Sequence, residues 1–314
     1  MTSFDVLVIG ELNVDIILDD IQGFPTVGKE ILANELNITM GSSSAIFASN
    51  LSSLETSVAL AGLIGEDSFS YLIRKSLHGK GVNTDFVTNT NKYSTGLTIV
   101  MNYGMDRANV TFPGAMEHQL EKDITDEMLL SSKHMHLSSI FLQKGIKNEV
   151  VKLFKRAKKL GLTTSMDPQW DPDENWDLNL EELLPYIDIW MPNVVEFKKI
   201  TGTDKISTGI EKVKKYSNHI VIKDGINGAH LWENGKLTSK PAFQNSEVAD
   251  CIGAGDSFDA GFISEFLKGS SMSRCVQVGN IMGAINTLEP GGTAAFANME
   301  TVKKIANDKF EFTL

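Results

Sequence analysis

Asp250-Cys251-Ile252-Gly253-Ala254-Gly255-Asp256-Ser257-Phe258 is the stretch on which the reading of this chain turns. Residues 247–249, just before it, read as a short strand. Beyond it, Phe258, Phe262 and Phe266 recur at the spacing of one helical face. The stretch is thus a strand-to-helix turn, with glycines where the backbone must approach a ligand closely. The first turn of such a helix points free N–H groups and the positive end of its dipole into that space. The amides of Gly253, Ala254 and Gly255 then form an anion hole suited to a phosphoryl group in transfer. Asp256 cannot itself bind phosphate, since like charges repel, but it suits the role of base toward an attacking hydroxyl. Taken alone, Gly-x-Gly-Asp is equally the form of a tight turn followed by a capping Asp.

Outward from this unit, strand and helix patterns alternate. Residues 5–10 are a continuous apolar run, as in a buried parallel strand. Residues 44–54 set Ile46, Phe47, Leu51 and Leu54 at helical spacing. Asp67 caps a helix carrying Leu72, Ile73 and Leu77 that stops at Gly79 or Gly81. Residues 146–160 place Val150, Phe154 and Ala157 on one face, with Gly161 beyond. Residues 163–167, 187–191 and 220–223 read as short strands. This alternation predicts an α/β fold: a doubly wound, mostly parallel sheet with helices on both faces. Residues 30–40, where Leu36, Ile38 and Met40 alternate, and the hairpin at 95–112, turning at 103–106, break the pattern. They predict a small antiparallel β lid, inserted at about 12–40 and 95–114 into a single domain spanning 1–314. Residues 228–237 form another hairpin, turning at Asn234-Gly235.

The bulk properties narrow the function. A chain of 314 residues with 42% hydrophobic and 22% charged residues builds a sizeable core and is neither disordered nor a membrane protein. The N-terminal run lacks the basic flank and cleavage site of a signal peptide. Cys251 and Cys275 make neither a disulfide framework nor a zinc site, so a reducing, cytoplasmic setting is expected. A net charge of −11 argues against nucleic acid as a partner. An anion must therefore be bound locally, by amides, a helix start or a few placed cations. No Gly-x-x-x-x-Gly-Lys-[Ser/Thr] loop occurs, and Gly10-Glu11-Leu12-Asn13 lacks the dinucleotide fingerprint required by a nicotinamide-dependent oxidoreductase. His134 and His136 share a strand face without a third ligand and read as ordinary sheet residues.

Residues 249–262 resemble the second signature of the ribokinase-like, or PfkB, carbohydrate kinase family, Asp-Thr-x-Gly-Ala-Gly-Asp-x-Phe, with Cys251 in place of Thr. The resemblance covers the whole chain, and further motifs fall in family order. Asn13-Val14-Asp15 matches the sugar-binding Asn-x-Asp. Residues 62–69 match Gly-x-x-Gly-x-Asp-x-Phe. Asn193-Val194-Val195-Glu196 matches the Asn-x-x-Glu motif associated with magnesium and phosphate. Lys223-Asp224-Gly225 and Gly228-Ala229 match the turn bordering the nucleotide, and Asn280 with Gly291-Gly292 falls where the family lines the adenine pocket. The family's Gly-Gly-x-x-x-Asn is altered: Gly41 is kept, but Ser42 replaces the second Gly and Ile46 the Asn, which bears on the usual sugar contacts.

The resemblance implies ATP and Mg²⁺ as cofactors, with Asn193 and Glu196 positioning the metal mostly through water. It also implies a monovalent cation (K⁺) near Asp250 and Ile252, and a homodimer formed through the lid. On the substrate side stand Asn13, Asp15, Gly41, Ser42, Arg107 and the loop opening at Asp167. On the nucleotide side stand Lys223, Gly225, Gly228 and Asn280. Simpler roles remain open: a polar turn for Asn13 and Asp15, a solvated strand position for Arg107, a helix cap for Asn193. The chain reads as an ATP-dependent kinase acting on a hydroxyl of a small sugar by direct in-line transfer, with Asp256 as base. The other reading is a catalytically silent sugar or nucleotide sensor on the same fold. Arg107 has no companion cations, which favours an unphosphorylated substrate.

Overall fold

Val6 and Val8 face one side of the first strand and Leu7 and Ile9 the other, and all four are fully buried. A strand without a solvent face belongs in the middle of a sheet covered on both sides. The computed structural model describes residues 3–103 and 106–314. Its strands in chain order are β1 (Phe4–Ile9), β2 (Asn13–Ile21), β3 (Ala33–Met40), β4 (Val58–Gly65), β5 (Val87–Thr90), β6 (Gly96–Tyr103), β7 (Asp106–Phe112), β8 (Ser132–Ser138), β9 (Thr163–Asp167), β10 (Ile189–Trp190), β11 (His219–Lys223), β12 (Ala229–Glu233) and β13 (Lys236–Lys240).

Nine strands form the large sheet, in the order β13-β12-β11-β10-β9-β8-β1-β4-β5. All pairings from β11 to β5 are parallel, and β12 and β13 add an antiparallel hairpin at one edge. Val6 and Val8 pack with the helices Ser43–Ser53, Ser68–Gly79 and Ala254–Leu267. Leu7 and Ile9 pack with Val150–Lys159, Val194–Thr201 and Ile206–Val213 on the opposite face. The sheet is therefore doubly wound, as the alternation predicts. A third apolar cluster joins Met272–Asn286 to the C-terminal helix Met299–Phe310.

The lid is a separate sheet in the order β3-β2-β6-β7. Its outer pairs are antiparallel and its central pair, β2 with β6, is parallel. Both central strands follow parallel strands of the large sheet, β1 and β5, and so leave its edge in the same direction. The expected turn of the β6–β7 hairpin falls on 104–105, outside the described residues.

Local signals account for several element ends. Asp67 accepts from Ser70 N–H in a capping box, and its helix ends at Gly79. Asn234 and Gly235 take φ of 50° and 79°, the left-handed pair required by a tight hairpin turn. Residues 247–249, in contrast, do not form a strand. Ala249 donates instead to the carbonyl of Thr287, at a helix end, so that end and not the sheet supports the following loop. The helix expected over 146–160 is split into Lys144–Lys147 and Val150–Lys159, because Glu149 leaves helical geometry at ψ 21°. His134 and His136 are sheet residues, bonded to the hydroxyls of Thr163, Ser165 and Ser138, and burial pushes both rings well below their ordinary range. Among the described residues no His, Cys, Asp and Glu group is arranged to hold a metal ion by itself, and no helix is long and apolar enough to cross a membrane.

Candidate active site

Strands β1, β8, β9, β10 and β11 all end at one edge of the large sheet, where open α/β folds bind ligands. Glu11, Ser139, Gln169, Asn193 and Gly225, each just beyond one of those ends, line a cleft of about 1170 Å³. Its far wall is the loop from Cys251 to Asp256, and its roof includes Asn13, Asp15, Thr98 and Arg107 of the lid. The volume suits two small ligands side by side.

The glycine-rich loop opens a helix as its sequence predicts, although no strand directly precedes it. Gly253 is the residue before the helix Ala254–Leu267 and sits at φ 73°. A Cβ there would stand 2.9 Å from both Gly292 Cα and Ile46 Cγ2, so only glycine fits. Ile46 thus buttresses the loop and the 291–292 turn, which explains an apolar residue at this position. One expected donor is diverted: Ala254 N–H turns back to the carbonyl of Cys251 at 3.3 Å. The N–H groups of Gly253 and Gly255 have no backbone partner among the described residues.

A buried polar chain fixes the loop from behind. Asn50 donates to Ser257 Oγ and to the Gly292 carbonyl, Ser257 donates to Asn286 Oδ1, and Asn286 donates to the Ile252 carbonyl, all within 2.9 Å. Asp250 accepts from Ile252 N–H at 2.7 Å and Gly291 N–H at 2.8 Å, joining the glycine-rich loop to the 291–292 turn.

Asp256 lies in the first turn of that helix and is 6% exposed, at the cleft surface. Burial raises its carboxyl to about 8; Asp167 and Glu11 push the same way, and Lys223 opposes them. Lys223 ends β11 at the cleft, and its Nζ is held 2.7 Å from Asp167 and 2.9 Å from Asp259. Burial alone would lower the lysine, but these carboxylates outweigh it and raise it. Asn193 caps its helix, the simpler role left open for it, and with Glu196 forms a capping box in which both Glu196 oxygens accept from Asn193. Burial and the charge of Asp167 raise Glu196 above the usual carboxylate range.

The lid side is built from side chains. Asn13 donates to Asp15 Oδ1 at 2.8 Å and Thr98 Oγ1 at 3.3 Å. A Cβ at Gly41 would fall 2.2 Å from Asp15 Oδ1, so that position needs glycine. Burial raises Asp15 to about 6, against the pull of Asn13 and of the positive charge on Arg107. Ser42 sits at φ 73°, a conformation natural for glycine, and compensates by capping the next helix and donating to the Glu11 carbonyl.

Three expected contacts are placed differently. Asp167 is fully buried, with Oδ2 accepting from both Lys223 and Gln169, so it lies behind the cleft wall instead of facing substrate. Asn280 donates to the carbonyls of Lys240 and Pro241 and holds the end of β13. Gly228 does not line the cleft; it lets the chain pass Lys240, whose carbonyl would be 2.0 Å from a Cβ. Sequence reading passed over Glu11, buried and bonded to Ser44, although an acidic residue directly after a buried strand was a usable signal. It also gave no role to Gln169, and no local pattern marks that residue. Trp170, in the same loop, is 47% exposed at the cleft and edge-on to Trp176.

The fold and cleft define an α/β protein with a ligand site at the strand ends, and comparison with known proteins makes the class specific. Residues 3–298 match the model of the pfkB family carbohydrate kinases, and the chain belongs to that family. It is 26% identical over 316 residues to a ribokinase of Arabidopsis thaliana, covering 96% of this chain and 80% of the relative. An ATP-dependent 6-phosphofructokinase of Thermoanaerobacterium thermosaccharolyticum is 24% identical over 310 residues, covering 96% and 94%. The solved structure of Arabidopsis thaliana ribokinase complexed with ribose and ATP superposes with a TM-score of 0.84 at 25% identity, covering 97% of this chain and 99% of that one. The protein is a carbohydrate kinase.

Proposed function

We propose that the enzyme transfers the γ-phosphoryl group of ATP directly to a hydroxyl of a small, unphosphorylated sugar, with Asp256 as base. The observation that carries this reading is a carboxylate at the start of a helix, in one cleft with the glycine loop and the Asn13–Asp15 pair. The sugar oxygen bonds to Pγ as the bond from Pγ to the β,γ-bridging oxygen breaks. The hydroxyl proton passes to Asp256 and then to solvent. The N–H groups of Gly253 and Gly255 meet the charge on the moving group. Asn13 Oδ1 and the Asp15 carboxylate accept from sugar hydroxyls, and Arg107 closes over them with the lid to exclude water.

Glu196 and Asn193 at the cleft suit a hydrated Mg²⁺: their donor set is one carboxylate and one amide already bonded to each other, which leaves outer-sphere contact through water. Bound to the phosphates, Mg²⁺ neutralises their charge. Asp250 and the Ile252 carbonyl are the candidate site for K⁺. The exposed apolar residues Leu36, Ile38, Val110 and Phe112 of the lid support a homodimer formed through it, in a cytoplasmic enzyme. Sedimentation would test the dimer.

Turnover with ATP across a panel of sugars, in wild type and Asp256→Asn, tests the central reading. The substitution is expected to lower kcat roughly 10²–10⁴-fold while ligand binding persists. Undiminished activity in Asp256→Asn would refute the base, and ligand binding without any transfer by wild type would favour the sensor.

A further inference from the structure

Gln169 is not a glycine, yet its backbone stands at φ 59°. Such a conformation persists where surrounding contacts determine it. Here the side chain supplies two: Nε2 donates to Asp167 Oδ2 at 2.6 Å and to Asp256 Oδ1 at 3.0 Å. Asp167 Oδ2 also accepts from Lys223 at 2.7 Å, and Lys223 donates to Asp259 Oδ2 at 2.9 Å. Asp259 lies three residues after Asp256 on the same helix, hence on the same side of it. The contacts therefore close into a ring that runs from Asp256 through Gln169, Asp167, Lys223 and Asp259 and returns through one helical turn.

We propose that Gln169 is a positioning residue for the base: its amide bridges Asp167 and Asp256 and ties the orientation of the Asp256 carboxylate to the buried Lys223–Asp167–Asp259 cluster. Lys223 is then the counter-ion that holds this cluster together and not a ligand of the nucleotide phosphates. The inference rests on Asp256 being the base. A primary amide is the fitting group because one nitrogen carries two N–H donors, one for each carboxylate. With Oδ1 held, Oδ2 is left to take the hydroxyl proton. A donor to the ionised carboxylate also favours that form over the protonated one. The other groups acting on Asp256 are Asp167, Lys223 and Glu11 by charge and Ser43 by a hydrogen bond.

The test compares Gln169→Leu, Gln169→Glu and Gln169→Asn with wild type and Asp256→Asn, measuring kcat and KM against pH, and melting temperature for folding. Gln169→Leu should lower kcat about tenfold, leave both KM values within about threefold, and move the acid limb of kcat/KM upward by about one pH unit. Gln169→Glu should be worse than Gln169→Leu despite its closer shape, because it sets a third acceptor between two others. A residue that merely fills space gives the reverse order. Should the leucine variant fail to fold, Gln169→Asn keeps an amide that is too short to span both carboxylates, and the same upward shift is expected. An unmoved acid limb, or glutamate outperforming leucine, overturns the proposal. Asp256→Asn separates the two ideas: if it is inactive while the limb stays unmoved in the Gln169 variants, positioning alone fails, whereas full activity in Asp256→Asn sinks the base itself.

Discussion

The two ends of the cleft are made from different materials. At the end proposed for the phosphoryl group, the groups offered are backbone amides of Gly253 and Gly255, on a loop pinned by Asn50, Ser257 and Asn286, all within the protein interior. At the end proposed to hold the sugar they are side chains, Asn13, Asp15 and Arg107, on a four-stranded sheet whose β7 edge is largely exposed. The difference follows from the chemistry. The charge on a phosphoryl group in flight is the same for every acceptor, so it can be met by fixed backbone dipoles in a rigid core. Hydroxyl patterns differ between sugars, so they must be read by side chains that can change without disturbing the fold.

This contrast can be broken by experiment. Gly253→Val should produce the largest effect, because it forces φ 73° on a β-branched residue and drives a Cβ into Gly292. A fall in kcat of about a hundredfold is expected, with sugar KM nearly unchanged. Asp15→Asn should do the opposite, raising sugar KM by about tenfold or more and keeping kcat within a few-fold. If kcat falls as far in Asp15→Asn as in Gly253→Val, the division between the two ends is wrong.

The ends should also titrate apart. Asp256 is raised to about 8 and, as the proposed base, acts only when ionised, so kcat/KM should rise with pH through about 8. Asp15 is raised to about 6, so sugar KM should climb as pH falls through about 6, and that climb should vanish in Asp15→Asn. A kcat/KM profile flat between pH 6 and 9, measured by steady-state kinetics, would remove the first assignment.

Stability gives a further check. A carboxyl whose folded pKa exceeds its unfolded value takes up a proton on folding, so its contribution weakens as pH rises from about 4 to about 8. Asp256→Asn removes that effect and should melt several degrees above wild type at pH 8, with a smaller gap at pH 5. Calorimetry at the two pH values decides it. The smallest effect is expected at Ser42→Gly, where relief of positive-φ strain and loss of the helix cap are each worth about 1 kcal/mol and oppose one another. A change beyond about 1 kcal/mol in denaturant unfolding would show that one of the two is mis-sized.

Much of the molecule was legible from local pattern. The alternation of apolar runs and helical faces indicated the doubly wound sheet, and Asp67, Gly79, Asn193 and Asn234-Gly235 indicated where elements start and turn. The places where reading stopped share one cause. A strand at 247–249 requires a sheet edge to pair with, and the chain there meets a helix end instead. Asp167 and Lys223 look like free polar groups at strand ends until the fold sets them 2.7 Å apart, across 56 residues of sequence. Gln169 meets Asp256 across 87.

The amino-acid order alone settled the periodicities, the caps and the glycines, because each depends on neighbours within a few bonds along the chain. Which carboxylates become ionic partners, which stays at the cleft surface, and which amide in the loop is turned away were decided only by tertiary packing. Those outcomes depend on desolvation and on charges brought together from distant segments, and no local pattern encodes them.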